Sequence, residues 1–369
     1  MKAYTSENIR NVIVLGHGGS GKTTVVEALA FATGAISRMK KIDEGGTISD
    51  YDLEEIRRKN SINLSIIPIE WEGIKINLID TPGFFDFVGE VYQGLSVADG
   101  AIIVISCKHN IEVGTIKSFE LCMKYNIPIM VFVTDMDDPN GDYIGTIRGL
   151  NELYGKKIAP FHLPIYEKGE FSAFVNVVKM EGRRFIENGF YEDCPIPEEI
   201  TDELAGCRQM IIESVAETSD EFMDRYFNGE EFSQEEISMA LRNNVGDGTI
   251  VPVLIGCARD LRGVRMLLLA IDKYFSPPKS LSDNPLSLYV FKTIVDPFIG
   301  KYSLVKIESG TLTSGMDLYN PITDMEEKIA KIYVFIGNKP VEVNELHQGD
   351  IGALSKLSGT QTGHTLCKR

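Results

Sequence analysis

The sequence predicts an α/β domain built on a parallel sheet, with an inserted α+β subdomain, followed by an all-β barrel. Apolar runs alternate with helical patterns through the first part of the chain, which is typical of a parallel sheet covered on both faces. The stretch 161–244 interrupts this alternation and is too long for a loop, so it indicates a subdomain. Beyond residue 284, short apolar runs separated by Gly-containing turns favour a small β-barrel.

Each strand of the predicted parallel sheet is a short apolar run. The candidates are Val12 to Leu15, Ile62 to Trp71, Lys75 to Ile79, Ala101 to Ser106, Ile129 to Thr134 and Val251 to Ile255. A strand near 171–179 and a helix near 203–215 belong to the insertion. The segment 276–280 contains Pro277-Pro278 and is typical of a linker, because proline cannot continue a helix. We therefore expect a first domain at 1–276, with its insertion at about 161–244, and a β-barrel domain at 284–369.

The composition is that of a soluble globular protein with a strongly acidic balance. Hydrophobic residues make up 43%, charged residues 24%, and the net charge is −16. This charge argues against nonspecific wrapping of nucleic acid, but not against docking on a ribonucleoprotein through a local basic patch. The acidic stretch from Glu187 to Glu236 is interpreted as a solvated helical face, with an acidic interaction surface as the alternative. The six cysteines lack C-x-x-C spacing, so we expect neither disulfides nor zinc, and a cytosolic location.

The residues from Gly16 to Thr23 form a complete G-x-x-x-x-G-K-[ST] phosphate loop. It lies between an apolar run and a helical pattern, the context in which this motif binds phosphate through backbone N–H groups and the helix dipole. Lys22 would reach the β- and γ-phosphates, and the Thr23 hydroxyl would ligate Mg²⁺. The sequence therefore predicts a nucleotide site whose phosphate contacts come from Gly16, Gly18, Gly19, Ser20, Gly21, Lys22, Thr23 and Thr24.

A second phosphate-site element follows the third candidate strand. Asp80 ends that strand and would reach Mg²⁺ through water, while the N–H of Gly83 would sense a γ-phosphate. The polar segment 43–63 between the two elements fits a loop that orders around the γ-phosphate. Ser61 is the hydroxyl that we place on Mg²⁺, with Ser49 and Thr47 as competitors.

The predicted base site follows two later strands. Asp137, in the segment Thr134-Asp135-Met136-Asp137, could accept both N1–H and the exocyclic amine of guanine, a pair of contacts that adenine cannot supply. The alternative for Asp137 is a helix N-cap. The segment Gly256-Cys257-Ala258 could offer a backbone N–H to the guanine O6. The base-site candidates are therefore Thr134, Asp137, Cys257 and Ala258.

Short motifs in both predicted domains occur together in one protein family. In the first domain they are 16–24, 80–83, Asp86-Phe87-Val88-Gly89-Glu90 and Val97-Ala98-Asp99-Gly100-Ala101. In the second domain they are Phe291-Lys292, Asp296-Pro297-Phe298-Ile299-Gly300-Lys301 and Ser309-Gly310-Thr311-Leu312. With these motifs the chain resembles the translational GTPases, and within them the divergent elongation factor G-like branch.

This resemblance implies an α/β P-loop GTPase domain with an inserted α+β subdomain, followed by an all-β translation-factor β-barrel. It implies GTP or GDP and Mg²⁺ as cofactors, and the ribosome, both rRNA and ribosomal proteins, as partner. We expect a cytoplasmic monomer without membrane association. Family members continue with three further domains, so we expect this chain to be a fragment; a naturally short paralogue is the alternative.

The chain departs from the family pattern at the hydrolysis site. The family's catalytic histidine directly follows D-x-P-G, and Phe84 stands there in this chain, next to Phe85. Phenylalanine has neither donor nor acceptor, so it cannot orient the attacking water. Loss of such a group typically costs a factor of about 10² to 10⁴ in rate. We therefore expect slow GTP hydrolysis that depends on Lys22 and Gly83, or a GTP-binding regulator with little turnover.

The base motif departs as well. The family's N-K-x-D appears as Thr134-Asp135-Met136-Asp137, and only the final Asp is kept. Asp135 cannot replace a lysine stem that stacks along base and ribose, and its charge is unfavourable near the phosphates. We therefore predict that Asp137 keeps the preference for guanine while the affinity is reduced. Ser61 replaces the family's threonine and still offers a hydroxyl, so that change should cost little. An unrelated phosphate-loop kinase is a third alternative, and it predicts no β-barrel after the Pro-Pro segment.

Overall fold

The structure, a computed structural model, describes residues 2–109, 111–279, 284–296 and 300–369. Two parts of the sequence analysis lie outside the described residues: residues 297–299, which carry part of the resemblance, and the linker residue Ser280. Strands and helices alternate up to residue 160, and again from 251 to 274, whereas the described residues from 284 onward form strands and no helix. The predicted division into an α/β part and an all-β part is therefore confirmed.

The strands are labelled in chain order within the described residues. They are β1 (Ile9–Leu15), β2 (Ser65–Trp71), β3 (Ile74–Asp80), β4 (Gly100–Ser106), β5 (Ile129–Thr134), β6 (Ile158–Pro160), β7 (His162–Glu167), β8 (Glu170–Asn176), β9 (Glu181–Phe185), β10 (Tyr191–Cys194), β11 (Val251–Ile255), β12 (Ser287–Asp296), β13 (Gly300–Ser309), β14 (Thr311–Thr313), β15 (Asp317–Asn320), β16 (Met325–Lys328), β17 (Ile332–Ile336), β18 (Lys339–Val343), β19 (Glu345–His347), β20 (Ile351–Ser355) and β21 (Thr365–Cys367). The α-helices of the described residues are α1 (Lys22–Ala32), α2 (Leu53–Arg58), α3 (Val88–Leu95), α4 (Val113–Lys124), α5 (Tyr143–Tyr154), α6 (Thr201–Ala216), α7 (Asp220–Phe227), α8 (Gln234–Gly246) and α9 (Val264–Tyr274).

The first sheet has the strand order β2-β3-β1-β4-β5-β11-β6, and its central strands are parallel. All residues of β1, β3, β4, β5 and β11 are buried, because helices cover both faces. In such a sheet the carboxyl ends of the parallel strands share one edge, and loops there form ligand sites. The loops after β1, β3, β5 and β11 all start from that edge.

One edge strand of this mostly parallel sheet runs antiparallel to its neighbour. β2 pairs antiparallel with β3, because the two-residue turn Glu72-Gly73 folds them into a hairpin. Both turn residues have positive φ, 43° and 93°, as hairpin turns that match strand twist require. At the other edge the short strand β6, absent from the sequence prediction, pairs parallel with β11.

The insertion forms a separate layer beside this sheet. The strands β7 to β10 make an antiparallel sheet, and α6, α7 and α8 follow it. The predicted strand near 171–179 corresponds to β8, and the predicted helix near 203–215 lies within α6. Most acidic side chains between 187 and 236 are exposed, which agrees with a solvated face.

The all-β part forms an eight-stranded antiparallel sheet, β16-β15-β21-β12-β13-β20-β17-β18, with the ribbon β14-β19 beside it. Its interior holds a second apolar core, which includes Leu288, Val305 and Leu354. The predicted β-barrel is thus confirmed. Polar contacts also join this barrel to the first domain: Lys75 Nζ donates to Asp350 Oδ1 at 2.7 Å, and both side chains are buried. Since a buried charge needs a partner, this ion pair fixes the barrel against β3.

Candidate nucleotide-binding site

The phosphate loop connects the end of β1 to the first turn of α1. Gly21 caps α1 with φ 91°, a left-handed conformation that glycine adopts readily. The Lys22 side chain turns back over the loop, and its Nζ donates to Gly16 O at 3.1 Å and to His17 O at 2.8 Å. Burial lowers the pKa of Lys22 to about 8, against the opposing effect of Asp80 and Asp50. The loop therefore presents an ammonium group inside a ring of backbone groups, which suits an anion.

The three predicted metal ligands lie together beside this loop. The Thr23 hydroxyl donates to Asp80 Oδ2 at 3.0 Å and lies 3.2 Å from Ser61 Oγ. Asp80 Oδ1 is buried and has no hydrogen-bond partner, and burial raises the pKa of Asp80. Hydroxyl and carboxylate oxygens, one of them an unsatisfied buried oxygen, fit the ligand preference of Mg²⁺. The donor set of the chain is thus suited to this ion.

The competing hydroxyls lie nearby but differ in their contacts. Thr47 Oγ1 accepts the backbone N–H of Asp50 at 3.1 Å, so it is engaged in the loop itself. Ser49 is buried and lies beside Asp80, where it lowers the pKa of that carboxyl. Ser61 is the one in contact with Thr23. The assignment to Ser61 stays a prediction, with Ser49 as the nearer competitor.

Asp50 is a residue of this site that sequence reasoning did not assign. It lines the cleft, is 6% exposed, and its Oδ1 has no hydrogen-bond partner. Burial and the neighbouring Asp80 raise the pKa of Asp50 to about 7. Its position in the polar segment before Ser61 was the only sequence signal available, and polar residues are common in loops.

Gly83 and Phe84 close the phosphate loop from the side of β3. A Cβ atom at Gly83 would lie 2.8 Å from Gly18 N, so only glycine permits this approach. The Phe84 ring lies against the loop, since a Cβ at Gly18 would be 2.9 Å from Phe84 Cζ. Phe84 is 43% exposed and lines the cleft, whereas Phe85 follows in a short 3₁₀ turn outside it. A hydrophobic ring, which has neither a hydrogen-bond donor nor an acceptor, therefore lies against the phosphate loop on this side.

The predicted base-site residues follow β5 and β11, which are adjacent. Thr134 lines the cleft, and its Cγ2 would lie 3.4 Å from a Cβ at Gly21. Asp137 is exposed and forms a hydrogen bond with the Cys257 side chain, whose pKa burial raises to about 12. The N–H of Cys257 donates to Arg262 O at 2.8 Å, which leaves Ala258 as the better backbone donor for a base. The structure brings these residues close together at the ends of two adjacent strands. Thr134 lines the cleft, whereas Asp137, Cys257 and Ala258 do not.

A second residue that the sequence did not single out is Arg259. It lines the same end of the cleft as Thr134 and Asp135, and its guanidinium lies 3.3 Å from Asp135 Oδ1. Its place directly after Ala258 was the signal that could have drawn attention to it. We call the part of the cleft at Lys22, Thr23, Ser61 and Gly83 the phosphate end, and the part at Thr134, Asp135 and Arg259 the base end.

The cleft that joins these two ends has a volume of about 170 Å³. The phosphate loop after β1, the polar segment 43–63 and the acidic end of β3 surround it, in that order along the chain. A phosphate loop between a strand and a helix, with an aspartate at the end of the neighbouring strand, defines a P-loop nucleotide-binding protein.

Comparison with known proteins gives the family. Residues 7–277 match the family model described as elongation factor Tu GTP binding domain, and residues 285–369 match elongation factor G domain 2. A crystal structure of a protein from Thermus thermophilus superposes with a TM-score of 0.88 at 32% identity. That match covers 98% of this chain and 54% of the Thermus chain, so this chain spans about half the length of that relative. The chain belongs to the translational GTPases and is elongation factor G-like.

Guanine nucleotide binding follows from this family membership. The match also removes the kinase alternative, since an elongation factor barrel follows the first domain. Within the part of the chain that the structure describes, no helix is long and apolar enough to cross a membrane.

Proposed function

We propose that this protein binds GTP together with Mg²⁺ and hydrolyses it slowly, as a ribosome-associated factor of translation elongation. The observation that carries the proposal is the cluster of Thr23, Ser61 and Asp80 beside Lys22. Hydroxyl, carboxylate and ammonium groups are the kinds of group that bind a phosphate chain and its metal, and their proximity supports the proposal. The role of the ribosome is carried over from the family and rests on the match of both domains.

The residues of the phosphate end divide the work. Lys22 and the loop N–H groups stabilise negative charge on the phosphates, since such charges are worth most in a dry, preorganised site. Thr23 and Ser61 would hold Mg²⁺, with Asp80 reaching it through water, and the bound ion would neutralise charge on the phosphate oxygens. The Gly83 N–H would contact the γ-phosphate, so the segment after β3 would respond to the presence of that phosphate.

The side chain of Phe84 is the reason why we expect slow GTP hydrolysis. Its ring supplies no proton acceptor, so water reaches the phosphate without orientation from this side chain. The γ-phosphate itself can take the proton from the attacking water, which keeps a slow reaction available. We therefore expect a rate lower by about 10² to 10⁴ than with a water-orienting imidazole.

A single-turnover assay of GTP hydrolysis with ribosomes tests this proposal. The Phe84→His variant should hydrolyse GTP about 10² times faster than the unmodified protein, because it restores a water-orienting group. Phe85→His is the matched control, since Phe85 lies next to Phe84 but does not line the cleft, and it should leave the rate unchanged. Equal, fast rates in all three proteins would contradict the role of Phe84.

A regulator that binds GTP without turnover is the second candidate, favoured by the position of the Phe84 ring against Gly18. In that case the same assay gives no hydrolysis above background, while GTP still increases the amount of protein that sediments with ribosomes. Hydrolysis that ribosomes accelerate would favour the elongation factor instead.

A further inference from the structure

The base end of the cleft carries a cation that no motif assigns. Arg259 belongs to a 3₁₀ turn, Ala258–Asp260, directly after β11. Its side chain is 63% exposed and lines the cleft with Thr134 and Asp135. The guanidinium is therefore open to a ligand while its backbone is fixed by a buried strand end.

Asp135 holds this guanidinium in place. Its Oδ1 lies 3.3 Å from Arg259, and its Oδ2 accepts the Ser106 hydroxyl at 2.7 Å. The Cys107 thiol donates to the Asp135 carbonyl at 3.1 Å, and the Asp135 backbone has φ 59°. Because protein groups engage both carboxylate oxygens, Asp135 is suited to positioning Arg259 rather than to contacting a nucleotide.

Other cations near the base end are committed elsewhere. Lys108 pairs with Asp138 at 3.2 Å and lies 3.8 Å from Asp135 Oδ2, and it does not line the cleft. Arg262 pairs with Asp260 and donates to the Phe171 carbonyl in the insertion. Among the described residues that follow β5 and β11, Arg259 is the cation that lines the cleft.

A purine presents a broad π-face, and a planar guanidinium stacks on such a face with a favourable electrostatic attraction. We propose that Arg259 stacks on the face of the guanine base and that Asp135 is the positioning residue that aims it. This inference rests on the proposed nucleotide site and adds its base-contacting cation. Asp137 reads the edge of the base, so the two residues act on different surfaces of the same ring.

The test measures the dissociation constants of GDP and GTP for the full chain by fluorescence titration. Arg259→Ala should weaken both nucleotides by about tenfold, because the contact involves the base and not the phosphates. Lys117→Ala is the control, because Lys117 is exposed, pairs with Glu120 and does not line the cleft, and its constants should stay within about twofold of the unmodified protein. Asp135→Asn keeps Arg259 but loosens it, and should weaken binding by about threefold.

A rescue variant separates stacking from a merely structural role. The double variant Asp135→Lys, Arg259→Ala removes the arginine and introduces a lysine at the position of its ion-pair partner. One cation therefore remains at the base end of the cleft. This double variant should bind GDP within a few-fold of the unmodified protein, whereas Asp135→Lys alone places two cations together and should bind less tightly.

Three results would overturn the inference. Unchanged constants in Arg259→Ala would remove the contact, and tighter binding would mean that the Arg259–Asp135 pair closes the cleft. A loss that is larger for GTP than for GDP would place Arg259 at the phosphates. In each case, loss of GDP binding in the Lys22→Met variant would still support the proposed nucleotide site. If the unmodified protein does not bind GDP, the proposed function and this inference are both overturned.

Discussion

The phosphate end and the base end of the cleft are built in different ways. At the phosphate end, backbone carbonyls of one short loop hold the Lys22 ammonium, and the side chains come from a motif with fixed spacing. At the base end, side chains from two loops more than one hundred residues apart in the chain, 134–137 and 257–259, meet only in the folded protein. Backbone contacts leave little room for substitution, whereas side-chain contacts can be exchanged between loops. This explains how the chain keeps an intact phosphate loop but a changed base motif.

The largest expected effect is at the phosphate end. Lys22→Met should reduce the affinity for both GDP and GTP by at least about 100-fold, because a charge-assisted contact to phosphate is lost from a buried position. Calorimetric titration measures it. Lys117→Met removes an exposed lysine paired with Glu120 and should bind as before. If Lys22→Met reduced nucleotide affinity by no more than Arg259→Ala does, the proposed difference between the two ends would be contradicted.

Asp137→Asn tests the base end. The amide can no longer accept two N–H groups, so GDP affinity should fall about 30-fold while xanthosine diphosphate, which offers an acceptor in place of the amine, gains. The control is the same substitution at the neighbouring residue, Asp138→Asn. Asp138 accepts the Asn140 N–H at 3.0 Å and pairs with Lys108. Competition binding with the two nucleotides gives the ratio. If Asp137 is only a cap for the local turn, both nucleotides lose affinity together.

The pH dependence of GDP affinity distinguishes the contribution of Lys22 at the phosphate end from that of Arg259 at the base end. Burial lowers the pKa of Lys22 to about 8, so the free protein loses this charge as the pH rises through 8, and an anion then binds less well. GDP affinity should therefore fall about tenfold between pH 7 and pH 9, one decade per pH unit above the pKa. Arginine keeps its charge over this range, so Arg259→Ala should show the same slope. A flat profile would show that Lys22 stays charged in the free protein.

The smallest effect concerns the choice among hydroxyls. Ser61→Ala should weaken Mg²⁺ binding to the GDP complex by about fivefold, since one oxygen ligand of several is lost. Ser49→Ala and Thr47→Ala are the matched controls in the same segment, and their Mg²⁺ affinity should change by less than about twofold. Titration of nucleotide release with a chelator compares the three variants. A larger loss in Ser49→Ala would transfer the ligand role to that residue.

The sequence alone predicted the strands of the first sheet apart from β6, and it predicted that residues 16–23 connect a strand to a helix, as they do between β1 and α1. The strands at Ile129–Thr134 and Val251–Ile255 agree with the apolar runs to within a residue, since buried parallel strands are continuous apolar segments. It did not predict that β2 turns back as a hairpin, because a run of apolar residues carries no information on strand direction. Nor did it predict β6, whose three residues are too few to show a period.

The sequence alone indicated the phosphate loop, Asp80 and Gly83 as candidates for the site, because each belongs to a short motif whose residues are close together in the chain. The pairing of Asp135 with Arg259, the burial of Asp50 and the ion pair between Lys75 and Asp350 were decided only by the tertiary structure. These residues are distant from their partners in sequence, and their charges acquire a role only where folding removes water and brings a partner within a few ångströms.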